Sequence, residues 1–549
     1  MKRYDAVFLH PPAIYDFRER PTFPGPIAYT VTESTEQFII PPIGMLSIAE
    51  YLDRHGYRVV VENIGERMVQ DKNFDVEGHI KGIEGSVYAI DLHWCVHAQG
   101  AIELAKLCKR LHPDSVIVLG GLTATRFHEE IIRKYEFVDV VIRGEAEKTF
   151  LELMNALDRG QKNMSVGNAT LRVNGRPVVG PSAAPSESID EFDFTRLDLL
   201  VPKSILFSKS RPPYCAHWSI PVCRGCVENC VTCGGSAYAC ARLLGRSRPS
   251  FRRPERIMED LERLAEQGVK AVFLFQDPRM GGKRYWESLL STLRKNGLPI
   301  DHLTLELFRP ADAEYVKALA GLGVSVTLTI SPESGVDHVR MAHGRNYTNA
   351  ELIKTIEVCQ ENRVPLLVFF MLALAEDNYD TVKETWKLWE KICMMDQEAR
   401  SEEYPITVNY GFGPMILLDP GSLAFDNPSS YGYRMLSNTL EGHIKQMEQP
   451  SWHQWINYET KYLRRDEIAK LILDTVEYSI SLREKYGIYD RTTAFVEKFC
   501  YVDLSRLIMK EVDKIAELKD EKEKDTRLRL LQDKVREYFT KLGERAHAL

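Results

Sequence analysis

Short apolar runs separated by amphipathic stretches fill residues 4–160. DAVFLH (5–10), RVVVEN (58–63), VYAID (87–91), SVIVLG (115–120) and VDVVI (138–142) read as strands buried on both faces. Between them, SIAEYLDRHG, QGAIELAKLCKRLHP and RFHEEIIRKY space their apolar residues at helical intervals. This alternation predicts an α/β fold with a doubly wound, Rossmann-like sheet over 1–160 and ligands at the strand carboxyl ends. The pattern breaks over 161–215, where Asn174-Gly175 separates two β-rich arms and GPSAAPSES ends regular structure, so a linker with a β-hairpin is expected. It resumes over 216–415 with HWSIPV (217–222), AVFLF (271–275), LTLELF (303–308), VTLTI (326–330), LLVFF (366–370) and ITVNY (406–410). Six such strands with intervening helices predict a (βα)6 partial TIM barrel with its chemistry at the strand carboxyl ends. Residues 416–549 are expected to be largely helical. There Leu528, Leu531, Val535, Tyr538 and Leu542 form a stripe that reads as a helix docked on its own protein rather than a dimerising coiled coil. The aromatics Phe425, Tyr431, Tyr433, Trp452 and Trp455 suit an ordinary core, or the wall for a large hydrophobic substrate.

A chain of 549 residues exceeds one ordinary core, in keeping with two α/β units. Its net charge of −7 argues against nucleic-acid binding by bulk electrostatics. No run approaches the ~20 apolar residues of a membrane span. The start, MKRYDAVFLHPP, enters a strand without an apolar leader, and eleven cysteines in such a chain suggest metal ligation or buried thiols. A cytoplasmic location is expected.

Five of the eleven cysteines lie in VCRGCVENCVTCGGSAYAC (222–240), directly after the first barrel strand. Zinc ribbons separate their CxxC knuckles by roughly 15–20 residues. Here only Val227, Glu228 and Asn229 part Cys226 from Cys230. Cys226, Cys230 and Cys233 instead form CxxxCxxC, three thiolates for a four-iron cluster with one iron left open. Cys215, Cys223 and Cys240 then read as packed thiols, with an auxiliary ligand role as the alternative.

This motif in this position resembles the radical S-adenosylmethionine (SAM) superfamily, although Thr232 stands where relatives often carry an aromatic residue. The resemblance implies a [4Fe–4S] cluster on Cys226, Cys230 and Cys233, with SAM on the open iron and its reductive cleavage to a 5′-deoxyadenosyl radical. It further implies that Gly234 and Gly235 allow close approach of SAM. Gln276 and Asp277 would grip its amino group, Glu333 and Ser334 its ribose, and Arg345 its carboxylate. The alternative for each is a polar strand end satisfying loop amides. Strand five ends in MLALAED rather than in the family's glycine-rich adenine-contacting segment.

A doubly wound domain ahead of such a barrel is similar to the cobalamin-binding radical SAM enzymes. HPP (10–12), PPIG (41–44), LGGLTAT (119–125) and RGEAEKTF (143–150) carry that likeness. It implies corrin or nucleotide-tail contacts from Pro12, Pro42, Gly44, Gly120, Gly121, Thr123, Gly144 and Glu145; a generic Rossmann-like domain without corrin is the alternative. Asp91-x-His93 is similar to a cobalt-ligating motif, but Val96 replaces its glycine and the match follows an internal strand, so no cobalt-ligating His93 is expected. His93, Trp94 or His97 would cover the lower corrin face or meet substrate, or else form a buried polar cluster. The resemblance as a whole implies hydrogen abstraction from an unactivated carbon of a small-molecule or lipid substrate, followed by methylation. A reductant such as flavodoxin or ferredoxin would supply the electron. The alternatives are C–C bond or ring formation on a lipid or tetrapyrrole without methyl transfer, and a non-catalytic cobalamin or redox sensor.

Overall fold

The computed structural model describes residues 2–26, 41–160, 166–203 and 218–546. The first sheet contains β1 (Lys2–His10), β2 (Val59–Asn63), β3 (Ile83–Asp91), β4 (Val116–Gly120), β5 (Val140–Ile142), β6 (Ala169–Val173), β7 (Arg176–Val179) and β8 (Leu200–Val201). Their order is β7-β6-β5-β4-β3-β1-β2-β8. The five strands expected from the apolar runs are all present and parallel, and Val7, Val87, Ile117 and Val141 are fully buried among them.

The hairpin turns at Asn174-Gly175, both at positive φ (49° and 74°). Its place differs from the expected linker. Strands β6 and β7 extend the sheet antiparallel from β5, and β8 pairs with β2 at the opposite edge. These segments cover sheet edges that would otherwise present unpaired backbone, so residues 169–201 belong to the first unit. Cys215 lies outside the described residues.

The second unit opens with β9 (Trp218–Pro221), followed by the short strands β10 (Cys223–Arg224) and β11 (Ser250–Phe251), which pair antiparallel. Then come β12 (Ala271–Phe275), β13 (His302–Leu307), β14 (Ser325–Glu333), β15 (Leu366–Leu372) and β16 (Val408–Pro414). Six parallel strands run in the order β16-β15-β14-β13-β12-β9, an open half-barrel in sequence order. One continuous apolar core passes through both sheets, from Phe8 and Val118 to Ile220 and Leu274.

Helices dominate the rest: Arg465–Lys485, Arg491–Lys498, Leu504–Ala516 and Glu521–Ala546. Leu528, Leu531 and Val535 pack on Leu504, Ile508, Val512, Ile515 and Phe23 of the same chain, which is the docked arrangement. Tyr538 is half exposed beside Phe499, and the Leu542 side chain lies outside the described ones. Phe425, Tyr433, Trp452 and Trp455 are buried in the main core, with Tyr431 packed against it. No helix among the described residues is long and apolar enough to cross a membrane.

Candidate active site

The cysteine loop leaves the carboxyl end of β9 and is pinned from three sides. Gln276, at φ +74° just after β12, accepts from the Cys223 amide (3.1 Å) and donates to the Gly225 carbonyl (3.2 Å). The Val231 amide donates to the His343 carbonyl (3.2 Å), and the Ala237 amide to that of Glu228 (2.8 Å). Ser236 caps the following helix, Ala237–Leu243, through the Ala239 amide. The Cys226 and Cys233 sulfurs each receive a backbone N–H, from Glu228 and Gly235, both at 3.3 Å. Burial pushes the Cys226 thiol up to about 12 and the Cys230 thiol above its ordinary range. Coordination to a metal reverses that preference, because a ligating thiol is deprotonated.

The thiol positions bear on the choice between one ion and a cluster. Four-coordinate zinc with Zn–S bonds of about 2.3 Å draws its sulfurs to within about 3.8 Å of one another. Among the described residues no three of these thiols converge within 4.8 Å. Thiolates that ligate different irons of a cluster stand further apart, so Cys226, Cys230 and Cys233 fit the larger group.

Cys223, Arg224, Gly225 and Gly235, on either side of the three thiols, form one wall of a cavity of about 500 Å³, which Cys226, Cys230 and Cys233 do not themselves line. The opposite wall belongs to the first sheet, so the carboxyl ends of both sheets face one space. Asp91, Gly120 and Ile142 contribute from β3, β4 and β5; Pro221 and Phe275 contribute from β9 and β12. Apolar side chains such as Ile43, Met45, Ile48, Phe150 and Leu244 complete it. Of the residues expected at a corrin, Pro42, Gly44, His93, Trp94, Gly120, Gly121, Gly144 and Glu145 line this cavity.

Among these residues the glycines divide by cause. Gly121 has φ +109°, and a Cβ there would lie 2.6 Å from the His93 backbone. Gly144 has φ +68° and would meet the Leu243 carbonyl at 3.3 Å. Both are required by the fold itself. Among the described residues, a Cβ at Gly44 would meet nothing within 4 Å, and one at Gly120 only the Ile142 carbonyl at 3.9 Å. Neither has a positive φ. Their bareness leaves room on the cavity side, a fit to a bulky ring lying against the backbone.

Two residues of the corrin set lie elsewhere. Thr123 is buried behind the cavity wall, where its hydroxyl (2.9 Å) and amide (3.2 Å) donate to the His93 carbonyl. Pro12 is buried beneath the start of the helix Ala98–Leu111, its carbonyl 1.8 Å from where a Gly100 Cβ would fall. Thr123 braces the loop that carries His93 and Trp94, Pro12 packs against the helix that follows it, and neither lines the cavity.

That loop divides between the cavity and a buried polar cluster. His93 and Trp94 line the cavity with their rings edge to face at 5.0 Å. Behind them His10, Asp91 and His97 form a buried polar cluster, with His10 Nδ1 3.0 Å from Asp91 Oδ2. Asp91 Oδ1 accepts from the His93 amide (3.0 Å). Burial pushes the Asp91 carboxyl up, yet the His10 hydrogen bond and the nearby imidazoles hold it below its usual value. His10 was not anticipated as a partner; a histidine ending a buried strand was the available sign.

The residues expected around SAM separate similarly. Gly235 and Gln276 line the cavity. Glu333, at φ +65°, pairs with Arg345 (3.0 Å), and the electrostatic influence of Arg345 reaches Cys230. Asp277 is occupied by the fold: it accepts from the Phe308 and Arg279 amides and pairs with the Arg279 guanidinium at 2.6 Å. Ser334 is buried and accepts from the Val336 amide. Gly234 donates to Asp419 (3.1 Å), and a Cβ there would fall 3.1 Å from that aspartate's own Cβ. Asp419 and Glu306, which accepts from the Gln276 amide, were missed in the sequence. Burial pushes both carboxyls up, against the amides that donate to them. Glu306 carried one sign, the lone carboxylate in the strand run LTLELF.

A doubly wound domain and a half-barrel with a three-cysteine loop, their strand carboxyl ends facing one cavity, have the layout of a two-domain, ligand-binding α/β enzyme. Family models agree: the B12 binding domain matches residues 30–154 and the Radical SAM superfamily residues 220–388. The chain belongs to the cobalamin-binding radical SAM enzymes. It is 23% identical over 355 residues to an uncharacterized methyltransferase of Pyrococcus horikoshii, covering 64% of this chain and 73% of that one. It is also 23% identical over 374 residues to an anaerobic magnesium-protoporphyrin IX monomethyl ester cyclase of Rubrivivax gelatinosus, covering 63% and 61%. The fold is shared with OxsB, a cobalamin-dependent SAM radical enzyme solved with aqua-cobalamin and SAM bound (TM-score 0.58, 12% identity, 100% of this chain and 80% of that one). It is shared too with the radical SAM methyltransferase TsrM of Kitasatospora setae, solved with cobalamin and a [4Fe–4S] cluster (0.55, 14%, 79% and 81%).

Proposed function

We propose that this chain is a cobalamin-dependent radical SAM methyltransferase acting on an unactivated carbon of a small-molecule or lipid substrate. The observation that carries this reading is the single cavity, bounded by the cysteine loop on one side and the bare Gly44 and Gly120 on the other. When bound, a [4Fe–4S] cluster with SAM supplies one-electron chemistry for hydrogen abstraction, and cobalamin supplies a methyl carrier. Cys226, Cys230 and Cys233 would hold the cluster. Gln276 fixes the loop backbone, and the Glu333–Arg345 pair places both charges of an amino-acid partner beside Cys230. The apolar part of the wall would keep water from a reactant bound against it. His93 and Trp94 would cover one corrin face. A flavodoxin or ferredoxin of the cytoplasm would deliver the electron.

The likeness to the cyclase favours a second reading, ring formation without methyl transfer. Product analysis of the anaerobically reconstituted chain with SAM, cobalamin and extracts of a deletion strain separates the two. Methylation yields S-adenosylhomocysteine with 5′-deoxyadenosine and a metabolite heavier by one CH₂. 5′-Deoxyadenosine alone, with loss of two hydrogens from the metabolite, would replace the methyltransferase reading with the second.

A further inference from the structure

Two arginines bracket the segment that carries the three ligands. Arg224 precedes Cys226 by two residues, and Arg246 follows the helix after Cys233. Each grips a glutamate where the last helix of the first domain begins. Arg224 holds both Glu147 oxygens (2.6 and 3.2 Å) and reaches Glu145 (3.4 Å). Arg246 holds both Glu145 oxygens (2.6 and 2.9 Å) and the Ser186 carbonyl (2.7 Å). Glu147 also accepts from Ser47 (2.7 Å), which lies on the helix Ile43–Arg54, whose first turn lines the cavity. The Arg246, Glu145 and Glu147 side chains are at least nine-tenths buried, and Arg224 is 17% exposed.

Buried ion pairs are poor stabilisers, since desolvation consumes much of their attraction and an apolar pair of similar volume often serves stability as well. What the charged pairs supply is a fixed geometry, two planar forks seated on two carboxylates. We propose that Arg224–Glu147 and Arg246–Glu145 are positioning pairs that set the separation between the cluster and the corrin. This rests on the functional reading above.

The test uses the full chain, reconstituted anaerobically with iron, sulfide and cobalamin. The readout is the magnetic interaction between the reduced cluster and Co(II), which falls as the inverse cube of their separation. Iron content, corrin absorbance and Tm are measured alongside. The apolar double variant Arg224→Met/Glu147→Leu is expected to keep both cofactors and a Tm near wild type while the interaction shifts and broadens. Arg224→Lys, which keeps the charge without the fork, is expected to do the same and stands in if the double variant does not fold. Unchanged interaction in variants that hold both cofactors overturns the inference and leaves the functional reading intact. A wild-type chain lacking either signal overturns both.

Discussion

A methyl group at Gly121 would be forced to 2.6 Å from the His93 backbone at φ +109°, whereas one at Gly44 would project into open space. Gly121→Ala is therefore expected to lower stability by about 2 kcal/mol or more, read as a fall in Tm even without cofactor. Gly44→Ala, at a helical position without positive φ, should not lower the Tm of the corrin-free chain but should weaken corrin retention, measured by absorbance after gel filtration. A Tm equal to wild type in Gly121→Ala would contradict the packing described for that loop. The sequence does not separate these two glycines, Gly121 after a strand and Gly44 where a helix opens. Only the neighbours of an absent Cβ separate a glycine kept for the backbone from one kept for a ligand. The same limit applies to Asp277, whose composition suits a ligand but whose oxygens are taken by Phe308 and Arg279. Cys226, Cys230 and Cys233 stand out in the sequence because their spacing is local and close to what a short loop can present to a cluster.

Among the elements, the eleven expected strands formed because each is a short run rich in apolar and β-branched residues bounded by helix-period sequence. The hairpin was legible from Asn174-Gly175, but its docking on β5 was not, since edge pairing depends on which edge is free. The helix Leu440–Met447 shows how tertiary surroundings change a side chain. It buries His443 between the rings of Phe127 (5.9 Å) and Phe425 (5.8 Å), joining the C-terminal region to the first domain. Burial lowers the His443 imidazole to about 4. An unfolded histidine titrates near ~6.5, so the unfolded chain takes up this proton first as pH falls. The stability this group contributes is complete above ~6.5 and declines by about 1.4 kcal/mol per pH unit down to about 4. His343, held down to about 4 by burial against the pull of Glu376, adds the same sign. Thermal unfolding from pH 7 to pH 5 should show a falling Tm, and His443→Leu should fall less steeply than wild type. An equal slope in the variant would show that His443 is not the group responsible.

At the scale of the molecule, two parallel sheets present their carboxyl ends to one cavity, and a continuous core holds them in register. The order of the domains was legible from periodicity and from the cysteine motif. That they share a single chamber was not, because the closing contacts join residues far apart in the chain, as in Arg224–Glu147 and Arg246–Glu145. The central claim is that Cys226, Cys230 and Cys233 hold a cluster whose open iron meets SAM. It is tested most directly by EPR of the anaerobically reconstituted, reduced full chain before and after addition of SAM. The account predicts a [4Fe–4S]⁺ signal, with roughly four irons per chain, that changes shape when SAM is added. A chain that binds one zinc, or a cluster signal indifferent to SAM, would contradict it.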